Sequence, residues 1–290
     1  MYVHGDNLEQ KESHQVKYLD AESKAFLKEI RSQYNAWKQS NIELKGPWAT
    51  YKEGDNAIIA ERVRLFSDYK DFIDQQKYAE KFDSRSNLHS TVLEEFMLYL
   101  FRDLVFDFSQ KVLIGKAHTF KDIFFISSNF KEMTTRPNVR IEIKDHDFVI
   151  GVNIQAKFQC EGTGVEEHHN LQIPAIAIEC KTYLDKTMLE GSSTAAEQLL
   201  VRNPNAIYIV VAEWLKLTEK INLRKFKVNQ IYILRKQRNT DREYRYLDGY
   251  KKNPIFVDVV EHLYETVRKH LTQPWESNIH DNLQTKGFLL

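Results

Sequence analysis

Three residues stand where an apolar strand core has no ordinary use for charge. Asp147 opens the run DFVIGVNI, and Glu179 and Lys181 close the run AIECK. In an extended chain, residues two apart point to the same face, so Glu179 and Lys181 share one face and Cys180 points into the opposite packing layer. Charges that follow six near-unbroken apolar residues are costly unless they are paired or bound to a metal. If the two runs form a hairpin, Asp147 approaches Glu179. Two carboxylates held close repel, and a divalent cation removes the repulsion. Mg2+ suits this donor set, because it takes carboxylate, carbonyl and water oxygens; the backbone carbonyl of Cys180 could complete the protein's share. Such a cation stabilises charge on a phosphoryl oxygen and supplies a bound hydroxide. Lys181 could orient or help deprotonate the attacking water and stabilise the transition state. The trio therefore suits metal-assisted phosphodiester hydrolysis. Acyl transfer has no evident nucleophile and base here, and glycosidic hydrolysis needs no lysine. The triplet EIK at 142–144 has the same Glu-x-Lys spacing without the long apolar approach.

A second feature is a basic stretch. Residues 216–242 hold Lys216, Lys220, Arg224, Lys225, Lys227, Arg235, Lys236, Arg238 and Arg242, opposed only by Glu219 and Asp241, for a net charge of +7. The whole chain is neutral, with 41 basic and 41 acidic residues, but a local stripe can still meet phosphates. Arg224, Lys225, Lys227, Arg235, Lys236 and Arg238 are the candidate DNA contacts. Most are expected on phosphate and one or two on bases, since the arginine fork matches a guanine edge. Arg235 and Arg238 are favoured for base reading because they follow a firm strand. His168 and His169 are adjacent in an expected loop and make poor joint ligands for zinc. His146 either supports the chemistry from behind the acids or is exposed on the face opposite Asp147, with the second favoured, and Cys180 is expected in the core.

The positioning elements follow from periodicity. Residues 1–18 are mostly polar and read as a frayed terminus. Phe26, Leu27, Ile30, Tyr34 and Trp37 mark one helix face, and Gly46-Pro47 ends that run. Ile58, Ile59, Val63, Phe66, Tyr69 and Ile73 mark a second helix. Residues 90–108 give the densest helix signal, with Ser90 or Thr91 as cap and a face wide enough to be buried on a sheet. Strands are expected at 139–143, 147–154, 173–180, 205–214 and 229–236. A short helix capped by Ser192, Ser193 or Thr194 lies among them. A last helix spans about 256–271, followed by a polar tail. The order predicts an α/β core with a central mixed sheet flanked by helices, plus a helical N-terminal region over 1–88 and the core over 89–290. Two cysteines exclude a disulfide scaffold. No run of 18 apolar residues or signal-peptide core is present, which excludes a membrane span on length and fits a cytoplasmic protein.

Asp147 with Glu179-Cys180-Lys181 at strand ends resembles the signature of the PD-(D/E)XK nucleases. His146 stands where the proline that names the motif would be. DHDFVIG, IPAIAIECKTYLDKTMLEG and the STAAEQL helix resemble type II restriction endonucleases more specifically, nearest the group reading interrupted sites with a CTNAG core, some of whose members act as two unlike subunits. The resemblance spans about residues 90–236. It implies a restriction-endonuclease-like core and Mg2+-dependent, sequence-specific cleavage of double-stranded DNA. Asp147 and Glu179 would be metal ligands and Lys181 the catalytic lysine. Some relatives add a glutamate from the helix before the sheet, for which Glu94 and Glu95 are both candidates. The 31 residues between Asp147 and Glu179 are long for the hairpin, and FQCEGTGVEEHHN reads as a loop or flap near the DNA. A single site in a chain without repeats cuts one strand, so a homodimer or a heterodimer with a homologous subunit is expected. A repair or junction nuclease and a non-enzymatic DNA-binding module are the alternatives.

Overall fold

The computed structural model describes residues 1–82, 87–218, 220–238, 246–247 and 249–275. Helices α1 (Val3–Glu12), α2 (Ala21–Glu43), α3 (Asp55–Ile73), α4 (Gln76–Lys81) and α5 (Thr91–Phe106) precede the sheet. Then come β1 (Leu113–Phe125), α6 (Phe130–Met133), β2 (Val139–Gln159), β3 (Glu166–Leu184), α7 (Lys186–Arg202), β4 (Ile207–Leu215), β5 (Gln230–Ile233) and α8 (Val257–Thr272). The five strands lie in sequence order; β1, β2 and β3 are antiparallel, and β3, β4 and β5 are parallel. This is the expected mixed sheet. Among the described residues no helix is long and apolar enough to cross a membrane.

Strand alternation builds two packing layers. Ile176, Ile178 and Cys180 of β3, with Ile209 and Val211 of β4, join the larger core, which α5, α8 and the N-terminal helices fill. Ala177 of β3 and Tyr208, Val210 and Ala212 of β4 face α7, whose Ala195 and Ala196 bring that helix close. Helix α5 is buried nearly all round, as expected for a helix apolar on every side. It lies between α1 and α3 on one side and the sheet on the other. One apolar cluster runs from Leu8 to Val267, so the N-terminal helices share their core with the sheet. Deleting Phe96, stacked on Phe66 at 4.3 Å, would cost about 3–5 kcal/mol by cavity formation.

Several sequence expectations are corrected. The first residues are not frayed: α1 buries His4 and Leu8 completely. Its polar composition conceals this, because its anchor is tertiary, with the His4 and Gly5 amides donating to Glu95 Oε2 at 2.9 and 3.2 Å. Strand β1, with polar residues interleaved in LIGKAHTFKDIFF, was not expected at all. The segments 139–143 and 147–154 are one strand, β2. Ser90 makes no capping hydrogen bond for α5, and Thr91 Oγ1 donates instead to Asn87 O at 2.8 Å. Helix α7 starts earlier than expected, capped by Asp185, which accepts from Met188 N at 2.8 Å. FQCEGTGVEEHHN is mostly strand, with only residues 160–165 connecting β2 to β3. Glu167 ties this end down by accepting from Val139 N at 2.8 Å and Arg136 Nε at 2.6 Å. His168 and His169 thus lie in β3. Glu219, Asp241 and Arg242 of the basic stretch, and the polar tail from 276, lie outside the described residues.

Candidate active site

The pairing of β2 with β3 brings the three charged residues together. Phe148 faces Ile178 across the antiparallel ladder, so one step further sets Asp147 opposite Glu179. On the other side, β1 and β2 slip register: Gly115 pairs with Val149 and Ala117 with His146, leaving Lys116 opposite both Asp147 and Phe148. This is a β-bulge, a device that re-aims side chains and recurs beside active sites. It also breaks the strict alternation behind the expectation of an exposed His146. That imidazole is 2% exposed and meets the Tyr208 ring edge-on at 5.6 Å. Burial there pushes its pKa down to about 4.

Asp147 Oδ2 accepts the Cys180 backbone N–H at 2.9 Å and lies 3.3 Å from Lys181 Nζ. Lys181 Nζ also lies 2.6 Å from Glu179 Oε1. The Tyr208 hydroxyl donates to Glu179 Oε2 at 3.0 Å. The Asp147, Glu179 and Lys181 side chains are 20–25% exposed, so the group opens to solvent. Burial, then the Glu179 charge, raises the Asp147 carboxyl above its usual range. Burial also acts to raise Glu179, but the Lys181 ammonium outweighs it and holds that carboxyl low. For Lys181 itself, burial favours the neutral amine, yet Asp147 and Glu179 together raise its pKa above that of an ordinary lysine.

The structure separates the two helix glutamates. Glu95 is fully buried and taken up locally, accepting from Tyr34 Oη at 3.0 Å and Tyr99 Oη at 2.6 Å besides the two α1 amides. Glu94 lies within electrostatic reach of Asp147. Burial, then the Asp147 charge, pushes its pKa up to about 7. Its Oε2 is buried without a hydrogen bond, and Lys116 Nζ stands 3.6 Å away. Lys116 and Tyr208 were not singled out in the sequence. Tyr208 shares strand parity with Val210 and Ala212 and pairs with Ala177, but that signal becomes legible only once the β3–β4 register is known.

The donor set fits a hard divalent cation. It consists of carboxylate oxygens, carries more acid than base, and includes a buried carboxylate oxygen without a hydrogen-bond donor. Among the described residues no group of three or more His, Cys, Asp and Glu side chains is placed to hold a metal ion. Mg2+ does not need such a group, because it keeps several waters and is held by one or two carboxylates. Cys160 is free and half-buried, and its Sγ faces Met133 O at 3.4 Å.

The basic stretch divides. Arg224, Lys225 and Lys227 are exposed on and just after a short 3-10 turn. Lys236 pairs with Asp258, and Arg238 Nη2 donates to Leu217 O at 3.2 Å; both side chains are exposed. Arg235 is a correction. It is 1% exposed, donates to Asn253 O at 2.7 Å, lies 3.5 Å from Glu213 Oε2 and stacks over Trp214. A guanidinium so enclosed is a core group, out of reach of a DNA backbone. The sequence hid this because the enclosing acid, Glu213, sits inside an apolar strand 22 residues earlier.

A family model described as Bpu10I restriction endonuclease matches residues 85–288, more than half of the chain. Among solved structures, one titled "native BbvCI A2B2 tetramer at low resolution" superposes with a TM-score of 0.70 at 19% sequence identity, covering 96% of this chain and 99% of that chain. This second likeness shows the fold. No curated protein matches. The resemblance carried by Asp147 and AIECK is borne out at family level, and divalent-metal catalysis is general to the PD-(D/E)XK nucleases. The chain belongs to the Bpu10I restriction endonuclease family, enzymes that cleave double-stranded DNA at specific sequences.

Proposed function

We propose that this chain makes one of the two strand cuts of a restriction endonuclease, by Mg2+-assisted hydrolysis at Asp147, Glu179 and Lys181. The observation that carries the reading is the convergence of these side chains at adjoining strand ends, with Lys181 Nζ 2.6 Å from Glu179 and 3.3 Å from Asp147. Asp147, Glu179 and the Cys180 carbonyl would hold the cation, with Glu94 as a further acid on the same side. When bound, Mg2+ would polarise the phosphoryl group and lower the pKa of a bound water. Lys181 offers N–H donors to the attacking water and to the charge that builds on the phosphoryl oxygens. Its ammonium bridges the two acids, so a cation and this ammonium are alternative partners for them. Asp147 is held in place by the Cys180 amide, and a fixed carboxylate favours the productive geometry over a mobile one.

Arg224, Lys225 and Lys227, with Lys236 and Arg238 beside them, would meet the DNA, mostly at phosphates. The target would be an interrupted site with a CTNAG core, cut in the cytoplasm. The BbvCI title names an assembly of two subunit types, which supports pairing with an unlike, homologous subunit over a homodimer. Residues 89–290 would carry the nuclease core, and residues 1–88 would buttress it. The test is incubation of the purified chain, with its partner subunit, on plasmid DNA in Mg2+ and in chelator, followed by sequencing of the fragment ends. The reading expects discrete fragments in Mg2+ only. Cutting confined to branched or damaged DNA would point to a repair or junction nuclease. Binding without scission would point to a non-enzymatic DNA-binding module.

A further inference from the structure

Glu179 divides its carboxylate between two partners. Oε1 faces Lys181 Nζ at 2.6 Å, and Oε2 accepts the Tyr208 hydroxyl at 3.0 Å. The terminal torsion of a glutamate is broad, so a carboxylate at a partly open rim turns freely unless something holds it. Tyr208 is able to hold it. The residue is fully buried on β4, and its parallel partner is Ala177, two residues before Glu179 and on the same face. The His146 ring closes edge-on against it at 5.6 Å. Its hydroxyl has no other hydrogen-bond partner among the described residues. A phenol O–H facing a carboxylate oxygen is the donor of the pair.

We infer that Tyr208 is a positioning residue for the reaction: its O–H pins Glu179 Oε2, leaving Oε1 turned toward Lys181 and the cation. The bulge at Asp147 contributes by burying His146 as the wall that fixes the Tyr208 ring. The inference rests on the catalytic reading above. Partners that orient metal ligands in this way typically change metal affinity or activity by about 10- to 100-fold when removed.

Tyr208→Phe tests it, because the ring and its packing stay and only the hydroxyl goes. Tyr232→Phe is the control. It removes another buried hydroxyl, bonded to Thr266 at 2.8 Å and His262 Nδ1 at 2.9 Å, in the core on the opposite sheet face. Mn2+ binding to the DNA-free protein with its partner is followed by electron paramagnetic resonance. DNA affinity is measured in chelator, and single-turnover cleavage across a Mg2+ series. Tyr208→Phe should weaken Mn2+ binding about 10- to 100-fold and shift the Mg2+ midpoint upward, with DNA affinity unchanged; Tyr232→Phe should move neither metal reading. Wild-type Mn2+ affinity in Tyr208→Phe, or an equal loss in Tyr232→Phe, would overturn the inference. Glu179→Gln separates the two levels. If it loses metal binding and cutting while Tyr208→Phe loses neither, only the positioning role fails; if Glu179→Gln loses neither, the catalytic reading fails with it.

Discussion

Two of the places where the molecule buries charge are built differently. Where α3 meets the ends of β4 and β5, Lys70 donates to both Asp74 oxygens at 2.6 and 2.7 Å and lies 3.2 Å from Glu213. Arg235 lies 3.5 Å from the other Glu213 oxygen, and His89 Nδ1 lies 2.9 Å from Asp74. Two buried cations meet two buried acids, and at the edge Asp71 lies 3.8 Å from Arg235 and pairs with Lys252. At the other place, Asp147, Glu179 and Glu94 outnumber Lys181 and the half-exposed Lys116, and the rim is open. Balanced and sealed charge joins elements together. Excess acid with an opening has the charge and the access to suit a cation. Sequence patterning cannot tell these apart, since Glu213 and Glu179 each interrupt an apolar strand; the partners and the exposure decide.

The sharpest way to break this comparison is to remove one acid from each cluster. Glu213→Gln leaves Lys70 and Arg235 facing a neutral group in a closed space. It should cost about 3–5 kcal/mol of folding stability, read by urea unfolding in chelator. Asp147→Asn under the same conditions should cost little, because it relieves repulsion with Glu179 and Glu94. An equal loss in both variants would erase the distinction.

Next in size is catalysis. Glu179→Gln and Lys181→Ala should each lower single-turnover cleavage by more than about 100-fold while the fold persists. If the two residues were merely a structural ion pair, both changes would instead lower stability and leave the cutting rate alone.

The active-site excess of acid should also appear as a pH dependence. The Glu94 carboxyl sits at about 7 in the folded protein against 4.5 for an ordinary glutamate. Between those values the folded state holds a proton that the unfolded state has released. This acid therefore contributes a loss of metal-free stability, on the order of 2 kcal/mol, as pH rises from about 4.5 to 7; the buried His146, held down to about 4, contributes in the opposite direction over the same window. Glu94→Gln should remove that loss, so that the variant gains stability relative to the parent between pH 5 and pH 8, as measured by unfolding in chelator. Parallel profiles for the variant and the parent would contradict the placement of this acid.

The smallest effect is electrostatic and spread out. Replacing Arg224, Lys225 and Lys227 together should weaken binding to every duplex and flatten the salt dependence by roughly one unit per lost phosphate contact. Arg235→Ala should instead act on stability, because its guanidinium belongs to the sealed cluster.

Much of the site was legible because its acids sit at the ends of long apolar runs, where hydrophobic periodicity makes a charge conspicuous. The α/β order, the mixed sheet and the helix at 90–108 followed from the same patterning. What stayed hidden depends on contacts distant in sequence. Glu95 differs from Glu94 only through Tyr34, Tyr99 and the α1 amides. Arg235 reads as a surface base until Glu213 is seen beneath it. His146 was misplaced by one extra residue in a bulge, which alternation cannot register. Helix α1 is polar in composition and owes its order to the groups it meets.

The central claim is that the acids at Asp147 and Glu179 serve cutting and not DNA binding. Fluorescence anisotropy on a cognate duplex in Ca2+, paired with cleavage of the same duplex in Mg2+, tests it on wild type and Asp147→Asn. The account predicts that the variant binds as tightly as wild type or tighter, since a negative charge near phosphate is gone, and does not cut. A variant that cuts at the wild-type rate, or that loses DNA binding together with cutting, would contradict it.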